Sequence, residues 1–252
     1  MTKYRAIIIG ATSGIGHEVA HSLARQGVIL GIAGRRTERL DAFVEEYGAE
    51  RIYCAKMDVR EDSATEALDE LISKVGAPDL LLYASGIGKQ NPELDEEIEC
   101  QTVLTNSLGM VRLVDHFLNY VKREDKYNAK HKAHIAVITS VAGTRGMGSA
   151  PAYSATKSMQ SSYIEALAQH ARMEHIPAIF SDIRPGFVAT EILNPEKRYP
   201  MLISVDKAAR HILRGLKHRR RIITFDWRFR LITHLWRLIP RFVWERMTFI
   251  RN

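Results

Sequence analysis

A tyrosine and a lysine, Tyr153 and Lys157, form the residue pair in this chain that is best suited to acid–base chemistry. Residues four positions apart lie on the same face of a helix, so Lys157 would hold its ammonium group close to the phenol of Tyr153. A free tyrosine loses its proton near pH ~10, and a neighbouring cation lowers that pKa by stabilising the phenolate. Because the same spacing arises by chance on many amphipathic helices, the elements around the pair must support the interpretation.

A glycine-rich segment near the start of the chain has the order expected of a nucleotide-binding loop. The β-branched run at residues 4–9 predicts a strand, and an apolar pattern that includes Val19 and Leu23 predicts a helix. Glycines between the two let the backbone approach a pyrophosphate, which is stabilised by the free N–H groups of the helix N-terminus. The predicted cofactor-binding residues of this loop are Gly10, Thr12, Ser13, Gly14, Ile15 and Gly16.

The second predicted strand, at residues 28–33, is followed by two arginines, Arg35 and Arg36. An NAD-specific site carries an Asp or Glu at this point, because a carboxylate binds the ribose hydroxyls. Two guanidinium groups bind a 2′-phosphate instead, so the pair predicts a preference for NADP(H) over NAD(H), with Arg35 as the stronger candidate. The alternative is a solvated charge pair in front of the next helix.

Strands and helices alternate along the rest of the chain. Five more strands are predicted, at residues 51–57, 79–84, 134–139, 178–183 and 221–225. The alternation predicts an α/β fold, a single Rossmann-type doubly wound parallel sheet of about seven strands with helices on both faces. Ligands of such sheets bind at the carboxyl ends of the strands, where Asn106, Ser140 and Tyr153 are expected. Asn106 lies beside other poor helix formers, which predict a break in the helix at 95–121.

Further cofactor contacts are predicted where later strands end. The carboxylate of Asp58 would accept a hydrogen bond from an adenine amino group, and small residues after the fourth strand would lie against a nicotinamide ribose. The predicted contacts beyond the glycine loop and the arginines are Asp58, Val59, Ala84, Ser85, Gly86, Tyr153, Lys157, Pro185, Gly186, Val188 and Thr190.

The composition is typical of one globular protein of 252 residues, with 46% apolar and 26% charged residues. The two cysteines, Cys54 and Cys100, have neither the spacing of a metal site nor the density of a disulfide scaffold, so no metal is expected. The first apolar run is too short for the core of a signal peptide, and a cytoplasmic protein is expected.

The sequence resembles the short-chain dehydrogenase/reductase family over about residues 4–225. The resemblance rests on motifs in the family's order and approximate spacing, namely the glycine loop, Asp58-Val59, Asn106, Ser140, Tyr153-x-x-x-Lys157 and Pro185-Gly186. Two positions depart from the family pattern: Tyr83-Ala84-Ser85-Gly86 replaces Asn-Asn-Ala-Gly, and Ile9 stands where a Thr usually precedes the first glycine.

The resemblance implies a catalytic tetrad of Asn106, Ser140, Tyr153 and Lys157. In this arrangement Ser140 binds the substrate oxygen, and Tyr153 transfers its proton while hydride passes to or from the nicotinamide. Lys157, together with the cationic nicotinamide of the oxidised cofactor, lowers the pKa of Tyr153, and it also holds the ribose hydroxyls. Asn106 positions a water that connects Lys157 to solvent.

We therefore expect an NADP(H)-dependent oxidoreductase that interconverts a secondary alcohol and a ketone, on a lipophilic, lipid- or steroid-like substrate. Two alternatives stay open, a sugar or polyol dehydrogenase of the same family and a catalytically weak nucleotide-sensing scaffold. The resemblance also implies a homodimer or homotetramer that is built on the helices holding Asn106 and Tyr153.

The chain divides into a predicted catalytic domain, residues 1–226, and a basic amphipathic C-terminal extension, residues 227–252. Residues 207–252 hold 13 Lys or Arg against Asp226 and Glu245, so the net charge of +7 arises at this end of the chain. Four large apolar residues fall on one helical face of the extension, and Pro240 ends that helix. They are Trp227, Leu231, Leu235 and Leu238.

Charged residues interrupt the extension too often for it to span a bilayer. A basic helix with tryptophans suits peripheral association with an anionic membrane, and a helix packed over the protein's own substrate cleft or on a partner subunit is an equal alternative. Nucleic acid is not expected as a partner, because the aromatic residues follow the apolar face and do not interleave with the charges.

Overall fold

The computed structural model describes residues 4–193 and 196–248. Its sheet is the predicted one. It has seven parallel strands in the order β3-β2-β1-β4-β5-β6-β7. The strands are β1 (Arg5–Ile9), β2 (Ile29–Gly34), β3 (Ile52–Lys56), β4 (Leu80–Tyr83), β5 (Ala133–Ile138), β6 (Ala178–Arg184) and β7 (Ile222–Thr224). Each of the seven predicted strands is present, with its ends shifted by no more than a few residues.

The strand order reverses between β1 and β4, which are hydrogen-bonded neighbours in the centre of the sheet. From β1 the sheet grows towards β3 on one side, and from β4 it grows towards β7 on the other. The connections after β1 and β4 therefore leave the sheet in opposite directions. A crevice opens at the carboxyl ends of these two strands, which is where doubly wound sheets bind their ligands.

Two apolar cores cover the two faces of the sheet. The helices are α1 (Gly14–Arg25), α2 (Thr37–Tyr47), α3 (Ala64–Val75), α4 (Glu96–Val103), α5 (Gly109–Arg123), α6 (Pro151–Met173) and α7 (Val205–Lys217). One core packs α3, α5 and α6 on residues such as Ile7, and the other packs α1, α2 and α7 on residues such as Ile8. Successive side chains of a strand point to opposite faces, so both faces of β1 are apolar.

The helix predicted at 95–121 is interrupted at Asn106, as predicted. A π-helical turn, Leu104–Leu108, joins α4 to α5, and the N–H of Gly109 donates to the carbonyl of Leu104. The hydroxyl of Tyr83 donates to the carbonyl of Thr105 at 2.9 Å and so holds this turn against the end of β4. Single π-helical turns inside α-helices are frequent at functional sites, and this one carries a predicted catalytic residue.

Two helices follow β7, α8 (Trp227–Leu238) and α9 (Arg241–Trp244). The break at Pro240 is the predicted one, because Pro240 is the residue that precedes α9. Residues 249–252 of the predicted extension lie outside the described residues. Within the described ranges, no helix is both long and apolar enough to cross a bilayer.

Candidate active site

A single cleft of about 630 Å³ at the carboxyl ends of the strands collects the predicted site residues. From the glycine loop, β2 and β3 it is lined by Gly10, Thr12, Ser13, Gly14, Ile15, Gly16, Arg35, Arg36, Asp58 and Val59. From β4 onwards it is lined by Ala84, Ser85, Gly86, Ser140, Tyr153, Lys157, Pro185, Gly186, Val188 and Thr190. Asn106 is the exception, since it lies fully buried behind the lining, and its neighbour Thr105 reaches the cleft.

The glycine loop lies against the segment after β4. Gly10 has a φ of +90°, and a Cβ atom there would lie 2.5 Å from the backbone nitrogen of Ser85, so no larger residue fits without a shift of backbone. Helix α1 begins at Gly14 without a side-chain cap from Ser13 and without an acidic residue in its first turn. Its free N–H groups therefore fit the diphosphate of a dinucleotide.

The arginines that follow β2 meet an acidic residue from across the cleft. Arg36 and Arg39 each donate from Nη1 to the carboxylate of Glu191, at 2.9 and 3.0 Å. Arg36 also donates from Nε to the hydroxyl of Thr12 at 3.3 Å, and Arg35 is exposed at the cleft wall. Hydrogen bonds from both arginines lower the pKa of Glu191. Two cations and their carboxylate partner thus lie where a 2′-phosphate is predicted.

Asp58 lies on the cleft wall as predicted, and its carboxylate already has a partner. The guanidinium of Arg60 donates to both of its oxygens, with Nε 2.9 Å from Oδ1 and 3.1 Å from Oδ2. These hydrogen bonds hold the pKa of Asp58 below its ordinary value. The carboxylate is therefore ionised and fixed in orientation, and its contact with an adenine amino group stays a prediction.

Ser140 occupies the first position of a tight turn between β5 and α6. Its Oγ accepts a hydrogen bond from the N–H of Ala142 at 3.1 Å, which leaves the hydroxyl hydrogen to donate to Tyr153 or to a bound substrate. The next residue, Val141, donates its N–H to the carbonyl of Pro185 at 3.0 Å. This bond ties the Ser140 turn to the predicted Pro185-Gly186 contact.

Lys157 is buried, with 4% of its surface exposed, and its ammonium group has two oxygen acceptors. Its Nζ donates to the carbonyl of Ile138 at 2.9 Å and to Oε1 of Gln160 at 3.0 Å. The same Nζ lies 5.8 Å from the centroid of the Tyr153 ring. Burial lowers the pKa of Lys157 to about 7, and the negative charge of Asp182 opposes that shift.

The pKa of Tyr153 lies above its ordinary value, and its lowering by Lys157 together with the cationic nicotinamide stays a prediction. Burial raises it, and a hydrogen bond with Ser140 reverses only part of the shift. The Nζ of Lys157, 5.8 Å from the ring centroid, does not offset the effect of burial on this pKa. Tyr153 is protonated at neutral pH, as an ordinary tyrosine is, and can donate its proton.

The π-helical turn is connected to Lys157 through Asn106 and Gln160. Gln160 was not among the residues predicted from the sequence. The side chain of Asn106 exchanges two hydrogen bonds with the backbone of Ile87, at 2.9 and 2.8 Å. Its own carbonyl accepts from Nε2 of Gln160 at 2.6 Å. A lysine can only donate, so the amide oxygen of Gln160 must face Lys157 and its nitrogen must face the carbonyl.

Gln160 adds a contact that the predicted mechanism did not include. Its amide bridges Lys157 and the Asn106 carbonyl directly, and the water that Asn106 is expected to position stays a prediction. The sequence held a signal for this residue, because Gln160 follows Lys157 by three positions and shares its helix face. Arg39 likewise follows a predicted residue, Arg36, by three positions. No such spacing pointed to Glu191.

A search of residues 4–193 and 196–248 finds no group of three or more His, Cys, Asp or Glu side chains placed to hold a metal ion. The cysteines Cys54 and Cys100 are both free thiols. The cleft offers N–H groups, guanidiniums and hydroxyls, which suit a phosphorylated ligand.

The sheet, the uncapped helix N-terminus and the Tyr153–Lys157 pair in one cleft define an oxidoreductase that uses a nicotinamide nucleotide. Residues 4–199 match the short chain dehydrogenase family, and the chain belongs to that family. It is thus an NAD(P)-dependent short-chain dehydrogenase/reductase. An uncharacterized oxidoreductase of Myxococcus xanthus is 29% identical over 248 residues, which are 95% of this chain and 94% of that protein.

Solved structures share the fold at lower identity. A 3-ketoacyl-(acyl-carrier-protein) reductase from Brucella melitensis, complexed with NADH, has a TM-score of 0.78 and 23% identity over 88% of this chain and 96% of its own. A short-chain dehydrogenase from Sphingobium yanoikuyae, in complex with NADPH, has a TM-score of 0.76 and 19% identity over 94% of this chain and 97% of its own. At these identities the likeness establishes the fold and not the substrate.

Proposed function

We propose that this enzyme is an NADP(H)-dependent oxidoreductase that interconverts a secondary alcohol and a ketone, with Tyr153 as the general acid and base. The observation that carries the proposal is the sharing of one cleft by Ser140, Tyr153 and Lys157 with the glycine loop and the arginines. When bound there, the nicotinamide cofactor supplies or accepts the hydride.

Each catalytic residue has a role that its contacts support. Ser140 turns its hydroxyl hydrogen from Tyr153 to the substrate oxygen, while its Oγ stays held by the N–H of Ala142. In reduction, Tyr153 gives its phenolic proton to the oxygen of the substrate, whose carbonyl carbon takes up the hydride; oxidation reverses both transfers. At neutral pH the phenol of Tyr153 is protonated, as its raised pKa requires, so the proton needed for reduction is present at the start.

The preference for NADP(H) is supported by the positive charge at the far end of the cleft. Arg36 and Arg39 already bind a carboxylate, and a 2′-phosphate is a stronger acceptor for the same two guanidiniums. Glu191 would have to leave them, and it is exposed enough to do so, with 59% of its side chain accessible. Arg35 lines the same region and stays a candidate for this contact.

A lipophilic substrate is supported by the wall that follows β6. Val188, Ile192 and Leu193 line the cleft there. Outside them, the ring of Phe187 packs on Tyr199 at 5.0 Å and on Phe229 at 6.0 Å between centroids. A sugar or polyol would require several hydrogen-bonding side chains at this wall, whereas apolar side chains gain free energy by burying a hydrocarbon surface.

The test is a panel of long-chain, cyclic and sugar-derived ketones, assayed with NADPH and with NADH. We expect turnover of the apolar ketones and a kcat/KM that favours NADPH by at least ~10-fold, the scale of a charged hydrogen bond. Arg36→Ala should lose most of that preference, and Arg123→Ala, at an exposed position on α5, should keep it. Equal use of the two cofactors by the wild type would contradict the NADP(H) proposal.

The alternatives have their own signatures in the same panel. Turnover confined to sugar-derived ketones would identify a sugar or polyol dehydrogenase. Tight NADPH binding without turnover of any ketone would identify a nucleotide-sensing scaffold.

The homodimer or homotetramer stays a prediction. The segment that carries Asn106 offers apolar surface for it, because Val103 and Leu108 are 46% and 43% exposed. Light scattering at micromolar concentration tests it.

A further inference from the structure

The predicted apolar face of α8 is exposed along its whole length. Trp227 is 73% exposed, Leu231 and Leu235 are 50% and 51% exposed, and Leu238 is 68% exposed. At 100° per residue these four side chains fall within about 80° of arc, so they form one continuous stripe, which we call the α8 stripe. Phe242 and Val243, beyond Pro240, are exposed as well.

The opposite face of α8 fixes the helix to the body of the protein. Phe229, with 6% of its surface exposed, packs against Gly186, where a Cβ atom would lie 2.1 Å from the phenyl ring. Trp236 packs on Trp244, with ring centroids 5.3 Å apart. Helix α8 is therefore docked on the protein through one face, while the α8 stripe on its other face is exposed.

Hydrogen bonds reinforce this docking at the turn that follows Ser140. The guanidinium of Arg145 donates to the carbonyls of Trp236 and Arg237, at 2.9 and 3.0 Å, and also to that of Ile239. The indole N–H of Trp244 donates to the carbonyl of Gly146 at 2.7 Å. These contacts dock α8 beside the turn that follows Ser140, and the cleft-cover alternative stays a prediction.

Arginines border the α8 stripe on both sides. By helical geometry Arg228 lies at one edge, and Arg230 and Arg237 lie at the other. Residues 227–248 contain five arginines and one acid, Glu245. Arg228 is paired with Asp226 at 2.6 Å, and the remaining arginines leave this surface strongly positive.

We propose that the α8 stripe and its bordering arginines bind the surface of an anionic lipid bilayer. The apolar side chains enter the boundary between headgroups and acyl chains, and the arginines contact the anionic headgroups. A second copy of this chain is a poorer occupant, because a two-fold interface on this face would bring the arginines of both copies together. At 12 residues, α8 is about 18 Å long and lies on the bilayer without crossing it.

The position of α8 gives the binding a consequence for the enzyme. The helix contacts the turn after Ser140 through Arg145 and the Pro185-Gly186 segment through Phe229. A protein bound through the α8 stripe therefore holds these two sides of the cleft beside the lipid surface. The lipid-binding proposal itself does not depend on the identity of the substrate.

Vesicle co-sedimentation of the full chain tests the proposal, with phosphatidylglycerol–phosphatidylcholine vesicles against pure phosphatidylcholine vesicles. We expect binding to the anionic vesicles that falls as salt rises. Leu231→Ser/Leu235→Ser should lower the partition coefficient by at least ~10-fold. Arg230→Ala and Arg237→Ala should each lower it by about 5-fold, on anionic vesicles only. Met173→Ser is the matched control, since Met173 is 69% exposed at the end of α6.

The outcomes separate this proposal from the proposed activity. Reduction of a water-soluble ketone by each variant shows that the cleft is intact, so a loss of vesicle binding alone belongs to the α8 stripe. Absence of binding to anionic vesicles at low salt by active protein would overturn the proposal. It would also be overturned if the serine variants left vesicle binding unchanged and converted a dimer into a monomer in light scattering.

Discussion

The two ends of the cleft are built in different ways. At the reacting end, Asn106, Lys157 and Gln160 are almost completely buried, and each is hydrogen-bonded to backbone or to another buried side chain. At the far end, Arg36 and Arg39 reach Glu191 through ion pairs in which the side chains are 35%, 43% and 59% exposed.

The difference separates chemistry from cofactor choice. Exposed ion pairs contribute little free energy each, so the far end can exchange one anion for another at small cost. Buried networks fix the geometry of their members, and removing one partner leaves another unsatisfied. Substitutions at the reacting end should therefore lower kcat, and substitutions at the far end should change the KM for the cofactor.

Apart from substitution of Tyr153, Ser140→Ala should lower turnover more than any other substitution near the reacting atoms. It removes the hydroxyl that donates to the substrate oxygen, and loss of one such donor costs about 10²-fold or more in kcat. The NADPH affinity should be unchanged, as measured by fluorescence titration. Ser158→Ala, at an exposed position of α6, is the control. If Ser140→Ala weakened NADPH binding and left kcat unchanged, the assignment of catalysis to the reacting end and of cofactor binding to the far end would be contradicted.

Lys157→Met should damage the enzyme and remove a pH-dependent contribution from its stability. The pKa of Lys157 falls from 10.5 to about 7 on folding, so between these values the unfolded chain binds more protons than the native state. The free energy of unfolding of the wild type therefore increases as pH rises from about 7 to about 10.5. Below about pH 7 this increase is absent, because the ammonium is charged in both states. Burial of the charged ammonium is the physical cause.

Thermal unfolding of both proteins across this pH range measures the effect. The Tm of Lys157→Met minus that of the wild type should be highest near pH 7 and should fall towards pH 10, because the cost of burying the wild-type ammonium disappears over that range. A Tm difference that does not change with pH would mean that Lys157 is charged in the native state throughout, and that the reacting end is less desolvated than its burial indicates.

Glu191→Gln should have the smallest effect, and it acts on the far end alone. Without the carboxylate, Arg36 and Arg39 no longer lose an ion pair when a 2′-phosphate binds, so the KM for NADPH should fall by about 2- to 5-fold. The KM for NADH and the kcat with either cofactor should stay as they are. A rise in the KM for NADPH would show that Glu191 supports the bound cofactor and does not compete with it.

Much of the fold and of the cleft was predictable from sequence. The apolar strands and the glycine turn are local signals, and the strand order places Ser140, Tyr153 and Lys157 at one edge of the sheet. The break at Asn106 was also readable, because the residues beside it are poor helix formers.

The rest depends on packing that no local pattern records. Glu191 reaches Arg36 across 155 positions, and only the closed cleft brings the two together. The raised pKa of Tyr153 follows from its burial, which spacing along a helix does not reveal. The helical pattern of the C-terminal extension identified an apolar face correctly, but it did not show that Phe229 and Trp236 dock the helix from the other side.

The most direct test of the central claim is reduction of an apolar ketone by Tyr153→Phe, measured beside its affinity for NADPH. The substitution deletes the transferable proton and keeps the ring that lies against Gly88. The account predicts a kcat at least ~10²-fold below wild type, the usual scale of general acid catalysis, with an unchanged Kd for NADPH. A folded Tyr153→Phe protein that reduces the ketone at a rate near that of wild type would contradict it.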